Sequence, residues 1–146
     1  MHLIKICMGI DSIAHLRRVQ AARLKQRKAA GEPVELYHMT RHRPRKAEEI
    51  LDDGGSLYWI IKGFVLVRQP LIRFDEIDPP IDMKGCRLVY TPDLIPTRPQ
   101  ARRPFQGWRY LRDEDAPADA AVNEAGESDD EPPPEMAAEL RALGLI

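Results

Sequence analysis

Apolar side chains recur with strand-like spacing through most of the first two thirds of the chain. Residues 2–8 alternate loosely and predict a first strand, and residues 36–40 predict a short second one. The strongest strand signal covers residues 56–67, where Gly63 predicts a bulge or a tight turn between two strands. We therefore expect a sheet at the centre of the fold.

The strand pattern continues towards residue 111. Residues 71–77 and 86–90 predict a hairpin, because each is a short apolar run and turn-forming residues separate them. Residues 97–104 are rich in Pro and Arg and are expected to be extended, and residues 106–111 predict a last strand. The sheet should therefore be mainly antiparallel, with about five to seven strands.

Two segments have helical rather than strand periodicity. Over residues 12–30, apolar residues three or four positions apart mark a narrow buried stripe on one helix. Pro44 suits the first position of a second, short helix over residues 44–52. The predicted fold class is α+β: a curved, mainly antiparallel sheet or a partly open barrel, with two flanking helices.

The composition changes after about residue 113. Residues 114–134 are rich in Asp, Glu, Ala, Ser and Pro, and such a segment cannot bury enough apolar surface to order itself. We expect one domain over residues 1–113, a disordered acidic linker over 114–134 and a short amphipathic helix over 135–143. The apolar side of that helix consists of three residues: Met136, Leu140 and Leu143.

The formal net charge of −1 conceals an asymmetry along the chain. Residues 1–112 carry 21 Lys and Arg against 12 Asp and Glu, a balance of +9, whereas residues 113–146 carry one Arg against 11 acids, a balance of −10. A basic part followed by an acidic tail is typical of a protein that binds a polyanion. The alternative is a solvated surface with no partner, since Lys and Arg also favour solubility.

The first candidate site lies in the loop that precedes the second predicted helix. Four cations crowd this loop: Arg41, Arg43, Arg45 and Lys46. Unpaired N–H groups at a helix N-terminus favour an anion, and Arg suits bidentate recognition of phosphate. The alternative is a solvated basic turn that offsets nearby carboxylates.

The second candidate site lies in residues 98–112, which hold five arginines, three aromatic residues and no acid. Basic groups interleaved with aromatic rings suit phosphate contact combined with base stacking. Three of the arginines are expected to follow a nucleic-acid backbone: Arg102, Arg103 and Arg109. The alternative is that the aromatic residues fill the core while the arginines extend into solvent.

Three further residues belong to this hypothesis. Trp108 or Tyr58 is expected to stack on a base. Arg68, set in a strand, is expected either on the binding face or in a structural ion pair.

No motif specifies a reaction, and we expect neither a metal nor a cofactor. His38 and His42 are four residues apart, but Pro44 and the strand-like residues before it argue against a helical metal-binding pair. Cys7 and Cys86 sit in strand-like apolar settings and are expected to be buried thiols.

A membrane-spanning segment is not expected. The longest stretch without a charge, residues 54–61, has eight residues, far fewer than the roughly 20 that cross a bilayer as a helix. The short N-terminal apolar run contains Lys5 and lacks the core of a signal peptide. We therefore expect a soluble, cytoplasmic protein.

Four segments together resemble a family of short bacterial proteins catalogued as domain of unknown function 1489. They are residues 38–44, 54–63, 67–69 and 102–111, and the resemblance extends over about residues 2–117. It implies a bacterial cytoplasmic protein and assigns no activity. The segment around Tyr58 also has a weaker likeness to RNA- or modified-base-binding barrels of the PUA superfamily, at the level of fold alone.

The function that this sequence favours is non-catalytic binding of nucleic acid, with RNA in first place, or of another phosphate-bearing ligand. One alternative is a small enzyme that acts on a phosphorylated metabolite or nucleotide, which requires a deep pocket with His38 or His42 beside a carboxylate. The other alternative is a protein-interaction adaptor that inserts the apolar side of helix 135–143 into a partner's groove.

Overall fold

The computed structural model describes residues 1–77 and 85–120. These residues form seven strands, two α-helices and one 3-10 turn, in the order β1 His2–Ile6, α1 Ile13–Ala29, β2 Leu36–Thr40, α2 Ala47–Asp52, β3 Ser56–Ile61, β4 Phe64–Glu76, β5 Cys86–Tyr90, β6 Ile95–Ala101, β7 Trp108–Leu111 and the 3-10 turn Asp113–Asp115. The strands make one open, mostly antiparallel sheet, which confirms the predicted α+β class.

The sheet is organised around β4, which is 13 residues long. The strand order is β2-β5-β4-β3-β1-β7, and β6 pairs with β4 on the edge opposite β3. The first part of β4 lies between β3 and β6, and its second part pairs with β5. Pro70 lies where β4 changes partners, and a residue without an N–H donor is tolerated at such a break in the ladder.

β3 and β4 are joined by a two-residue turn at Lys62 and Gly63. Both residues have positive φ, 50° and 86°, as a type I′ hairpin turn requires. Gly63 therefore makes the tight turn that the sequence predicted as one of two possibilities. Beyond it, the predicted strands around residues 64–67 and 71–77 are a single continuous strand.

The core has two layers because both faces of the central strand are covered. Every residue of β3 is buried, which explains why its sequence is a continuous apolar run rather than an alternating one. One face packs against α1 and α2, with Trp59 and Leu57 in that larger cluster. The opposite face, with Tyr58 and Ile60, packs against Phe105 and Ala116.

The described structure continues past residue 113, the predicted end of the domain. Residues 114–120 lie along β6: the Arg98 N–H donates to the Ala118 carbonyl oxygen at 2.8 Å, and Thr97 forms a bridge with Asp119. The reason is an ion pair in which Asp119 binds Arg68. The rest of the predicted linker and the predicted helix over 135–143 lie outside the described residues.

The two helices begin at different kinds of cap. Ser12 caps α1, and its side-chain oxygen accepts a hydrogen bond from the His15 N–H at 3.0 Å. α2 begins at Ala47, not at Pro44 as predicted, because the Ala47 N–H donates to the Pro44 carbonyl oxygen and closes a turn before the helix.

His2 fixes the start of β1 to the start of β3 and is expected to make stability depend on pH. Its Nδ1 accepts a hydrogen bond from the Ser56 N–H at 3.0 Å, and its Nε2 lies 2.7 Å from Asp113. Burial lowers the pKa of His2, an effect that Asp113 only partly opposes. The folded state therefore prefers neutral His2, so its contribution to stability is complete above about pH 6.5 and falls at lower pH.

The measurement is the free energy of urea unfolding at pH 7.5 and pH 5.5 for the wild type and for His2→Asn, which keeps an acceptor near Nδ1 but does not titrate. We expect the wild type to lose more stability than the variant between the two pH values. Equal losses would contradict the assignment to His2.

Candidate nucleic-acid interface

β7 forms one edge of the sheet and directs neighbouring side chains to opposite faces. In its antiparallel register with β1, Trp108 opposes Lys5 and Tyr110 opposes Leu3, on the face that carries the helices. Arg109 opposes Ile4 and lies on the other face. The second predicted segment therefore contributes groups to both sides of this edge.

On the helix side, β7 meets the first predicted segment. The Trp108 indole N–H donates to Thr40 Oγ1 at 3.2 Å, and the Lys46 backbone N–H donates to the Tyr110 hydroxyl at 3.2 Å. Lys46 Nζ lies 5.4 Å from the centre of the Tyr110 ring, in a cation–π contact. The Trp108 and Tyr110 rings meet edge to face at 5.0 Å. Two segments that are far apart in sequence are thus in direct contact.

On the other side of β7, three arginines surround an open hollow of ≈470 Å³. Its walls also include Phe105 and Tyr110, and the Arg109 guanidinium lies 5.2 Å from the centre of the Phe105 ring. The arginines of the hollow are those predicted from sequence: Arg102, Arg103 and Arg109. Tyr110 therefore contacts Lys46 on one side and lines the arginine hollow on the other.

Within the described part of the chain, most of the predicted cations have no acidic partner. Within residues 1–77 and 85–120, no carboxylate forms an ion pair with any of six of them: Arg41, Arg43, Arg45, Lys46, Arg103 and Arg109. Arg43 is half-buried and the other five are exposed. Arg102 instead donates to Gln100 Oε1 at 2.9 Å and to the Asp115 carbonyl oxygen at 3.4 Å. These two hydrogen bonds hold the Arg102 side chain in place at the hollow.

Arg68 takes the structural role that the sequence left open. Its guanidinium makes two hydrogen bonds to Asp119, at 2.8 and 2.9 Å, and a third to Ser56 Oγ at 2.8 Å. The hydrogen bonds to Asp119 raise the pKa of Arg68, and those to Arg68 lower the pKa of Asp119. A phosphate would have to displace this bidentate pair, so Arg68 is not carried into the binding surface.

Tyr58 is in no position to stack on a base. It lies in the central strand β3, is 4% exposed, and meets the edge of the His2 ring at 5.0 Å. A basic sequence context alone does not distinguish a buried aromatic residue from an exposed one. Trp108 is half-buried and packs against the core, so only part of its ring faces solvent.

The helix N-terminus adds little to anion binding. α2 has only six residues, and two of the N–H groups at its start are already occupied: that of Lys46 by the Tyr110 hydroxyl and that of Ala47 by the Pro44 carbonyl oxygen. Recognition of an anion by this loop would therefore depend on its side chains.

Tyr110 and Phe105 are the residues that the sequence reasoning failed to select. Tyr110 is 36% exposed, while Phe105 is half-buried beneath Arg109. A signal was available, because Trp108 and Tyr110 alternate with Arg109 in a predicted strand, and residues two apart in a strand share a face.

Among the described residues, the cavity beside His38 holds no carboxylate. His38 meets the edge of Trp59 at 6.5 Å and lines a partly open cavity, but the described residues around that cavity include no Asp or Glu. No group of three or more metal-ligating side chains occurs in the described part of the chain. Burial raises the pKa of the Cys7 thiol to about 12 and also raises that of Cys86, so neither is an activated nucleophile.

A search for membrane-spanning helices found no candidate in the described residues: none is both long and apolar enough.

The chain matches a known protein family. The family model described as "Protein of unknown function (DUF1489)" matches residues 3–146, and this confirms the resemblance drawn from the sequence. Neither the curated proteins nor the solved structures include a match to the chain.

Proposed function

Because this chain belongs to the DUF1489 family, whose description assigns no function, we propose one from the geometry of β7. The protein binds single-stranded nucleic acid, in first place RNA, along the edge of the sheet formed by β7, without catalysing a reaction. The proposal includes a cytoplasmic location, where such a ligand is present.

The observation that carries the proposal is the position of Tyr110 between two groups of cations. Its ring contacts Lys46 on the helix side of the sheet, and Tyr110 is also among the residues that line the hollow of Arg103 and Arg109. Proteins that bind single strands combine a basic track for the phosphates with aromatic rings on which bases stack. An exposed ring flanked by exposed cations provides both parts within one short segment.

The positions of these side chains indicate how a nucleic-acid strand would cross the surface. A strand that crosses β7 would place phosphates near Arg103 and Arg109 in the hollow and further phosphates near Arg45 and Lys46. The base between these phosphates would stack on the Tyr110 ring. At comparable sites, replacing the aromatic residue by alanine costs about 1–3 kcal/mol of binding free energy per base.

The salt dependence of RNA binding tests the proposal. If about five phosphates are neutralised, the logarithm of the association constant should fall against the logarithm of salt concentration with a slope of about −3.5. The measurement is fluorescence anisotropy of a labelled, unstructured RNA dodecamer between 50 and 200 mM NaCl. Absence of binding at 50 mM, or affinity that is independent of salt, would refute the proposal.

Two further ligands in the same assay identify the class of partner. A DNA dodecamer of the same base sequence tests the preference for RNA, and a nucleoside monophosphate tests the alternative of a small phosphate-bearing ligand. We expect the dodecamers to bind far more tightly than the monophosphate, because a single phosphate contacts only one part of the surface. Equal affinity per molecule would favour the small ligand.

A further inference from the structure

A second cavity, separate from the β7 surface, lies between α1 and the sheet. It has a volume of ≈230 Å³ and is more enclosed than the arginine hollow. Its lining includes residues at the end of β1, Ile6 and Cys7, and Trp59 from β3. β1 and β3 are the one parallel pair among the described strands, and ligand cavities often lie at the carboxyl ends of parallel strands.

One wall of the cavity suits an aromatic ring. Trp59 and Tyr90 meet edge to face, with ring centres 5.9 Å apart, and Leu16 and Val19 of α1 lie opposite them. An apolar cavity of about 150 Å³ is large enough to hold benzene. A volume of ≈230 Å³ therefore admits one ring that carries a short side group, but not a whole nucleotide.

The amide of Gln20 provides a fixed polar contact in the same cavity. Gln20 is 3% exposed, and its Nε2 and Oε1 exchange hydrogen bonds with Gln69, each at 2.8 Å. A side-chain amide has two N–H donors, and Gln69 is the acceptor that the described structure provides for one of them. The second N–H is thus available to an acceptor in the cavity.

The charge around the cavity is positive. Lys5 and Arg23 line it, whereas none of the described lining residues is Asp or Glu. Burial raises the pKa of the Cys7 thiol in this lining to about 12, and the nearby charges of Arg23 and Lys5 oppose that rise. An acceptor that carries negative charge matches this lining better than a neutral one.

We propose that this cavity binds a small aromatic carboxylate. The ring lies against Trp59 and Tyr90, and the carboxylate accepts hydrogen bonds from Gln20 and from the Arg23 guanidinium. This site is independent of nucleic-acid binding at β7.

The test is calorimetric titration of the full chain with phenylacetate and with its uncharged analogue phenylacetamide. We expect phenylacetate to bind with a Kd below about 1 mM and the amide to bind at least about tenfold more weakly. Arg23→Gln should weaken phenylacetate binding about tenfold, because it removes a cation from the lining. Arg18→Gln is the matched control, since Arg18 is exposed on the same helix and does not line the cavity.

Three results would overturn the proposal. They are equal binding of the acid and the amide, no binding of phenylacetate at 10 mM, and equal losses in the Arg23 and Arg18 variants. Thermal unfolding of each variant confirms that it is folded, and exposed Arg23 should be replaceable without loss of the fold.

Discussion

Changing both Arg103 and Arg109 to glutamate is expected to weaken RNA binding by a factor of about 100 or more at 50 mM NaCl. The double variant removes two phosphate contacts and places two negative charges beside the remaining phosphates. Both residues are exposed, and no carboxylate within residues 1–77 and 85–120 pairs with either, so the fold should be retained. The measurement is anisotropy with the RNA dodecamer, alongside the midpoint of thermal unfolding.

A matched control separates the β7 surface from net charge. Arg18 and Lys25 are exposed on α1, and changing both to glutamate alters the net charge by the same amount. We expect this control to lose about threefold in affinity at most, through the weaker field of the whole protein. Similar losses in both double variants would show that RNA follows overall charge, and the β7 surface would then have no special role.

The elements of the fold were predictable where local rules decide them. β3 was visible because a strand covered on both faces is apolar throughout, and Gly63 marked its end because the turn needs positive φ. The start of α2 was not predictable from Pro44, because proline suits a turn before a helix as well as it suits the first position of the helix.

The two basic segments were predictable separately, but their contact was not. Lys46 and Tyr110 are 64 residues apart, and they meet only because β1 pairs with both β3 and β7. The order of strands in a sheet is set by the whole core, so a single sequence does not reveal which segments become neighbours. It also does not reveal which aromatic residue faces solvent, and this explains why Tyr58 was chosen and Tyr110 was not.

Long-range ion pairs were similarly hidden. The pairing of Arg68 with Asp119 joins a central strand to a segment whose composition is typical of disorder. Composition describes the average tendency of a segment, whereas one carboxylate opposite a half-buried arginine can attach its first residues to the sheet. The importance of the buried Gln69 amide was hidden in the same way, because it depends on hydrogen-bond partners that are distant in sequence.

Replacing Gln69 by leucine is expected to lower the free energy of unfolding by about 3 kcal/mol. Gln69 is fully buried; its Oε1 accepts hydrogen bonds from the Trp59 indole N–H and the Gln20 amide, both at 2.8 Å, and its Nε2 donates to the Thr91 carbonyl oxygen at 3.0 Å. Leucine has a similar size but leaves these groups buried without partners, and each unsatisfied group costs about 1–3 kcal/mol. The measurement is urea unfolding at 25 °C.

The double variant Gln20→Leu/Gln69→Leu should be about as stable as Gln69→Leu alone, rather than showing the sum of two losses. Once Gln69 is gone, the Gln20 amide is a buried polar group without its partner, and replacing it removes that penalty. Gln26→Leu, at an exposed position on α1, is the control and should change stability by about 0.5 kcal/mol or less. Additive losses in the double variant would mean that the two amides stabilise the core independently, although each is the other's hydrogen-bond partner.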